Sequence, residues 1–437
     1  MPRPTGDRPS HFPPPVPARP LRVKAASTLV YSAEGDALLG CNFLTKQVFH
    51  CELDTLRFLH GLSDWCEAED VAERFELSVP ETVGLLERLI EVSAVVRADS
   101  EEALREQEFQ SDWAWSVPTA LMHFTLEDRP FLAIEESEGR QVEKAALGNL
   151  PELHSSNRHL PGQLALPDPL TDNGLTRLMA RRRTVRAALD VPVALEQLST
   201  ALFAGLGIIG ETTNRAGRLP LKLTPSGGAR NPYEAYVFVR AVEGLQPGLY
   251  HYSAADHSLA PVPFEGELPT GGALIGGQDW ADGMACTIVL CAHLQRTMWK
   301  YDDPNAYRVV MIEAGHVGQN IMLAASRSGL TACPSAALDH SLIRRTVGLT
   351  ELTVAPVYAL ALGVPGADPE IELFARWREA LSGDSTTPPP SEDLNEMACE
   401  LSRLRAQAKA GGREALASLL DAAGRELNSL LSEKDPL

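Results

Sequence analysis

Thr224-Pro225-Ser226-Gly227-Gly228-Ala229-Arg230-Asn231-Pro232-Tyr233 is a glycine-centred turn that leads straight into the strand-like run Ala235–Val239. Gly227 and Gly228 carry no Cβ, so a planar ligand can approach the backbone there, while main-chain N–H groups, Ser226 and Arg230 can address ring carbonyls. A plain tight loop would use the same residues, so the turn gains meaning only from what flanks it.

Upstream, Leu170–Leu189 reads as an amphipathic segment carrying Arg181-Arg182-Arg183-Thr184-Val185-Arg186 near its end. Guanidinium forks match phosphate oxygens two at a time and a threonine hydroxyl adds a compact donor, a combination suited to a terminal phosphomonoester. A solvated charge run has the same composition. Downstream, Pro247-Gly248 signals a hairpin between apolar runs, and Thr287–Ala292 reads as an apolar strand. The pattern predicts a long helix from about Ala306 to Ser328, closed by Gly329, whose Ala314, Gly315, Gly318, Ala324 and Ala325 permit close packing at the centre of a fold or of a dimer. Cys333-Pro334-Ser335-Ala336-Ala337 and an apolar strand ending in Leu362-Gly363 follow.

In this order the pieces resemble the nitroreductase family of flavoproteins. The resemblance implies an α+β fold over 168–366, a mixed sheet flanked by helices, dimeric, holding FMN. It assigns the FMN phosphate to Arg182, Arg183, Thr184 and Arg186, the isoalloxazine ring to the loop containing Pro225, Ser226, Gly227, Ala229, Arg230 and Asn231, and its other edge to the backbone of Ser335, Ala336 and Ala337. Reduced flavin is negative near N1, where a donor such as Arg230 would help. Thr184 stands where serine is more usual. Many members supply a further basic residue after the last strand, whereas Gly366–Leu373 is acidic here and the first candidates are Arg376 and Arg378.

Pro225–Tyr236, Gly248–Leu259, Lys300-Tyr301, Tyr307-Arg308 and Glu313-Ala314-Gly315-His316 before Gln319-Asn320 sharpen the likeness to the SagB-type dehydrogenases. These oxidise thiazolines and oxazolines in ribosomally made peptides. The resemblance implies a precursor peptide as substrate, a cyclising partner enzyme, dioxygen as oxidant, and Lys300 and Tyr301 as the catalytic pair. Aromatising an azoline removes a proton from one ring carbon and a hydride from its neighbour, so a base must face a hydride acceptor. An NAD(P)H-dependent nitro or quinone reductase is the rival enzyme reading, and a flavin-free docking scaffold is the rival of another kind. Glu-x-x-His on a helix can ligate a di-iron centre only with a second such motif; one is present, so no metal is expected, and Glu313 and His316 read as buried polar groups of the long helix near the subunit interface.

With 437 residues the chain exceeds what one core usually serves. Residues 1–25, rich in Pro and Arg without an apolar h-region, read as a disordered tail rather than a secretory signal. Residues 26–98 suggest a winged-helix-like module: a β-rich Ser27–Ser32, helical stretches at Leu53–Leu62 and Ala68–Phe75, and a third opening on the capping box Ser78/Glu81. Glu81, Glu87 and Glu91 against Arg88 give that third helix the wrong sign for a DNA groove, and a net charge of −19 opposes nucleic-acid binding throughout, leaving a structural or peptide-docking role. Residues 99–167 read as an ordered connector containing Trp113 and Trp115, and 367–437 as a helical extension broken at Pro388–Pro390, with leucines along one face. Seven scattered cysteines without a C-x-x-C pair fit a reducing cytoplasm. No apolar run approaches the ~20 residues of a membrane span.

Overall fold

The computed structural model describes residues 20–148, 161, 164, 166, 174–215, 217–367, 401, 404–405, 408 and 414–433. The chain divides into two units, Met1–Ser111 with Ala120–Thr125, and Asp112–Thr119 with Leu126–Leu437. Most of the expected tail, the break at Pro388–Pro390, and Arg376 and Arg378 lie outside the described residues.

The first unit opens on β1 (Arg22–Ala25), four residues that composition alone assigns to the tail. Their order comes from partners distant in sequence: β1 pairs antiparallel with β5 (Cys66–Glu67) and β6 (Val95–Arg97), and Val23 is fully buried. Between them lie the meander β2 (Leu29–Glu34), β3 (Ala37–Asn42) and β4 (Gln47–Cys51), then α1 (Leu53–His60), α2 (Ala68–Arg74) and α3 (Val79–Glu91). Ser78 caps α3 as its sequence predicts, its hydroxyl accepting from the Glu81 N–H while the Glu81 carboxylate accepts from the Ser78 N–H. α4 (Glu101–Asp112) follows; its buried Glu106 is paired with Lys24 at 2.7 Å and accepts from the Ser27 hydroxyl at 2.7 Å, so the carboxylate is not left uncompensated.

α5 (Val117–Leu126) and α6 (Ile134–Ala146) precede the larger part of the second unit. There α7 (Gly174–Arg181) ends before the basic cluster, β7 (Ala188–Leu189) follows, and α8 (Leu195–Leu206) leads to the hairpin β8 (Ile208–Asn214) and β9 (Gly217–Lys222). The main sheet uses β10 (Tyr233–Val239), β11 (Gly248–Ser253), β12 (Ser258–Pro261), then, after the single-turn α9 (Gly271–Leu274), β13 (Cys286–His293). α10 (Leu294–Met298), α11 (Asn305–Arg327), β14 (Thr331–Ser335), α12 (His340–Val347) and β15 (Val354–Pro365) complete it, and a further helix spans Glu414–Glu433. Strand order is β12-β11-β10-β13-β15-β14, with β7 on β15. Every pairing in this sheet is antiparallel, which corrects the expected mixed sheet. β10 to β12 are consecutive and joined by short connections, and the returns through α11 and α12 bring β14 and β15 back against their neighbours in the opposite sense.

α11 packs on the sheet and on α8 because its small residues allow it. A Cβ on Gly318 would lie 2.5 Å from the Tyr358 ring, and one on Gly205 of α8 would lie 2.6 Å from Ile321. The helix ends where the sequence places its stop: Gly329, at φ 75°, donates to the Ser326 carbonyl while Leu330 donates to that of Ala325 at 2.8 Å, a Schellman closure that turns the chain into β14.

Candidate active site

The glycine turn is pinned at both ends. Thr224 donates its hydroxyl to the Gly205 carbonyl at 2.7 Å and accepts from Asn320 of α11 at 2.9 Å. The Asn231 N–H donates to the Ser226 hydroxyl at 2.8 Å, and its side-chain amide donates to the Ala229 carbonyl at 3.1 Å. Gly228, Ala229 and Asn231 all have positive φ (62°, 55° and 48°). Glycine adopts this freely and asparagine tolerates it, whereas Ala229 stores about 1–2 kcal/mol of strain that the surrounding bonds hold in place.

Against this turn stand Lys300 and Tyr301. A Cβ on Gly228 would lie 2.5 Å from the Lys300 Nζ and 2.5 Å from the Tyr301 hydroxyl, so only glycine leaves both groups where they are. Lys300 donates to the Gly228 carbonyl at 3.3 Å, and its ammonium lies 5.3 Å from the Tyr301 ring centroid. Behind the turn, buried Glu313 of α11 accepts from the Gly227 N–H at 3.2 Å and from the Ser226 hydroxyl. Burial raises its pKa, and burial likewise pushes the nearby Lys222 amine down to about 8 against the pull of Glu313.

The far side of the turn rests on Arg296 of α10. Its guanidinium donates to the Asn231 carbonyl at 3.1 Å and pairs with Glu234, its carbonyl accepts from Arg230 Nε at 2.9 Å, and the Arg230 guanidinium lies 4.5 Å over the Trp299 ring. Glu234 also bonds His251 at 2.8 Å; that bond and the Arg296 contact hold its carboxyl down to about 2.

The basic cluster is built differently. Arg182, Arg183, Thr184 and Arg186 lie on irregular chain after α7, fixed by the buried Val185: its N–H donates to the Thr331 hydroxyl at 3.1 Å and its carbonyl accepts from the Cys333 thiol at 3.2 Å. Arg182 reaches Thr184 Oγ1 at 3.4 Å, Arg186 lies 5.6 Å from the Trp280 ring, and Arg183 turns back on the carbonyls of Ala180 and Arg182. Arg182 and Arg186 both bear on the β14 thiol of Cys333, so they share a neighbourhood. At the end of β14, Ser335 accepts from Gln278 at 3.2 Å and from the Ala337 N–H at 3.1 Å, leaving Ala336 exposed.

The sequence-predicted residues thus form two groups. Pro225–Asn231 meets Lys300 and Tyr301 near the start of α11, while Arg182, Arg183, Thr184 and Arg186 attach to β14, which continues from its end. Val309, beside Gly227, and Leu330 are separated by roughly 30 Å along the helix axis. Within the single chain Glu313 is buried, while His316 is exposed on the face of α11 that carries Ile312 and Gly315. Among the described residues no group of three or more His, Cys, Asp and Glu could hold a metal ion. Sequence reasoning missed Arg296, Glu313's bond to the turn, Gln278 and Trp280; an arginine a few residues before Lys300 and a glutamate on the buried face of α11 were the available signals.

Residues 179–364 match the nitroreductase family. Over 198 residues the chain is 33% identical to a protein of Methanocaldococcus jannaschii named as a nitroreductase, covering 45% of this chain and 95% of that one. The chain belongs to the nitroreductase family, whose members are generally FMN-dependent oxidoreductases. It is also 30% identical over 134 residues to the trifolitoxin-processing protein TfxB of Rhizobium leguminosarum bv. trifolii, and 30% identical over 144 residues to the microcin B17-processing protein McbC of Escherichia coli. Those matches cover 29% and 32% of this chain and 35% and 53% of the relatives, so the chain spans only about a third to a half of each. Among the described residues no helix is long and apolar enough to cross a membrane.

Proposed function

We propose that this chain is an FMN-dependent dehydrogenase of the SagB type that oxidises an azoline ring of a ribosomally made peptide to the azole. The observation that carries this reading is the junction of Gly228 with Lys300 and Tyr301, where an amine and a phenol face a glycine of the turn that has no Cβ to displace them. The kinship with trifolitoxin- and microcin-processing proteins supports a precursor peptide as substrate and a cyclising enzyme as partner.

The residues present fit FMN. Three arginines with a threonine suit its phosphate, and the turn is glycine where a Cβ would displace Lys300 and Tyr301. When bound, FMN supplies a hydride acceptor at N5, reoxidised by dioxygen. Arg182, Arg183, Thr184 and Arg186 would hold the phosphate, and Pro225–Asn231, with Arg230, and the backbone groups of Ser335–Ala337 would contact the ring. Lys300 and Tyr301 take the proton from the azoline carbon next to the one that loses hydride, so the ring closes its second double bond. The separation of the two groups along α11 supports a homodimer whose copies share each site, and the exposed apolar Ile209, Leu221, Leu223, Val309 and Ile312 supply a face for it. The first unit, with its short strands and α1–α3, is read as a winged-helix-like docking module for the peptide, and the free cysteines suit a reducing cytoplasm.

The visible spectrum of the purified protein tests the cofactor: yellow protein that releases FMN on heating is expected, and a colourless protein that stays so under FMN titration overturns the enzyme reading. Lys300→Ala and Tyr301→Phe are expected to keep the colour and lose turnover of an azoline peptide by about 10²- to 10⁴-fold. Rapid bleaching by NADPH without peptide would favour a nitro or quinone reductase instead.

A further inference from the structure

Trp113-Ala114-Trp115 belongs to the second unit yet lies well before residue 179, where the family match begins. The segment is short and irregular, but Trp115 is 5% exposed. Its indole N–H donates to the main-chain carbonyl of Tyr301 at 2.9 Å. Its ring meets that of Tyr307, at the start of α11, edge-on at 5.9 Å, and Trp113 packs edge-on against it at 6.0 Å.

The acceptor is informative. Lys300 and Tyr301 sit between α10 and α11, and both of their N–H groups donate to the Thr297 carbonyl, at 3.1 and 3.0 Å. Those two bonds fix the pair to the end of α10 but leave the exit side of Tyr301 unheld. The Trp115 bond closes that side. An indole is a donor only, so a phenylalanine would fill the same space without reaching the carbonyl.

We propose that Trp115 is a positioning residue for the Lys300-Tyr301 pair: a strap from outside the family-matched region holds the Tyr301 carbonyl and so keeps the amine and phenol against Gly228. This rests on reading Lys300 and Tyr301 as the proton-handling pair, and its test is chosen to stand apart from that reading.

The test is Trp115→Phe in the full chain, with two readouts. The first needs no turnover: the rate of Lys300 acetylation by acetic anhydride at fixed pH, followed by mass spectrometry with exposed Lys144 as internal reference. The second is kcat and KM on an azoline peptide at matched FMN content. Release of the strap is expected to raise Lys300 labelling several-fold relative to Lys144, and to lower kcat by roughly 5- to 10-fold with KM unchanged, as loss of one hydrogen bond allows. Unchanged Lys300 labelling overturns the proposal whatever happens to kcat, since the effect would then not pass through the pair. Altered labelling with no azoline turnover even by the wild type upholds the strap and fails the dehydrogenase reading. Should Trp115→Phe lose its thermal transition, Tyr307→Leu removes the ring that seats the indole while leaving the donor, and the same change in Lys300 labelling, smaller in size, is expected; its absence also overturns the proposal.

Discussion

The Arg182–Arg186 cluster and the Ser226–Asn231 turn bring polar groups to their surfaces in opposite ways. In the cluster the long-range ties run through the backbone and the side chains make mostly local contacts: Val185 is tied to Thr331 and Cys333, Arg182 and Arg183 bond within 180–184, and Arg186 extends from exposed chain towards Trp280. In the turn nearly every group has a partner, from Thr224 through Gly227 to Arg230 and Asn231. A charge cluster attracts an anion over a range of positions, whereas a bonded turn offers one shape. Graded losses are therefore expected from the first and abrupt ones from the second.

The sharpest way to break the comparison is Gly228→Ala. Its Cβ would meet both Lys300 and Tyr301 at a backbone angle that alanine adopts only under strain, so turnover is expected to fall roughly 100-fold or more with the flavin retained, measured as kcat on an azoline peptide. A fall of only a few-fold would show that the turn is as tolerant as the cluster. Next in size, Arg182→Ala is expected to weaken FMN binding by about 10- to 100-fold, read by fluorescence titration, while leaving the spectral shape of bound FMN unchanged. A third effect, on stability and not on turnover or binding, concerns what supports the turn. The carboxyl of Glu234 is held down to about 2 from 4.5, so its stabilisation is complete above about pH 4.5 and is lost as pH falls towards 2. Glu234→Gln is expected to cost about 1–3 kcal/mol at pH 7 and to flatten the loss of stability across that acid range, measured by urea denaturation at several pH values.

What was legible in the sequence follows the same division. Elements with a local cause could be read: the Ser78/Glu81 box of α3, the glycine stop of α11, the unbroken apolar run of β13. The turn, the Lys-Tyr dipeptide and the arginine cluster were legible as motifs, because each is contiguous. What escaped depends on partners distant along the chain. β1 carries only four residues between β5 and β6, too few to show a period, and the antiparallel sense of the sheet is set by where α11 and α12 return the chain. Arg296 and Trp115 each act on the turn or the pair through a main-chain carbonyl, and a carbonyl leaves no mark on sequence.

The cysteines of β13 have a consequence for endurance. Cys286 and Cys291 are buried at the middle of the sheet, and desolvation pushes the Cys286 thiol up to about 12 and the Cys291 thiol higher still. The thiolate is the form that peroxide attacks. On the proposed reading, in which dioxygen takes the electrons, peroxide would form in this protein's own site, and two sulfurs kept protonated at the middle of the sheet would offer it little to attack in β13.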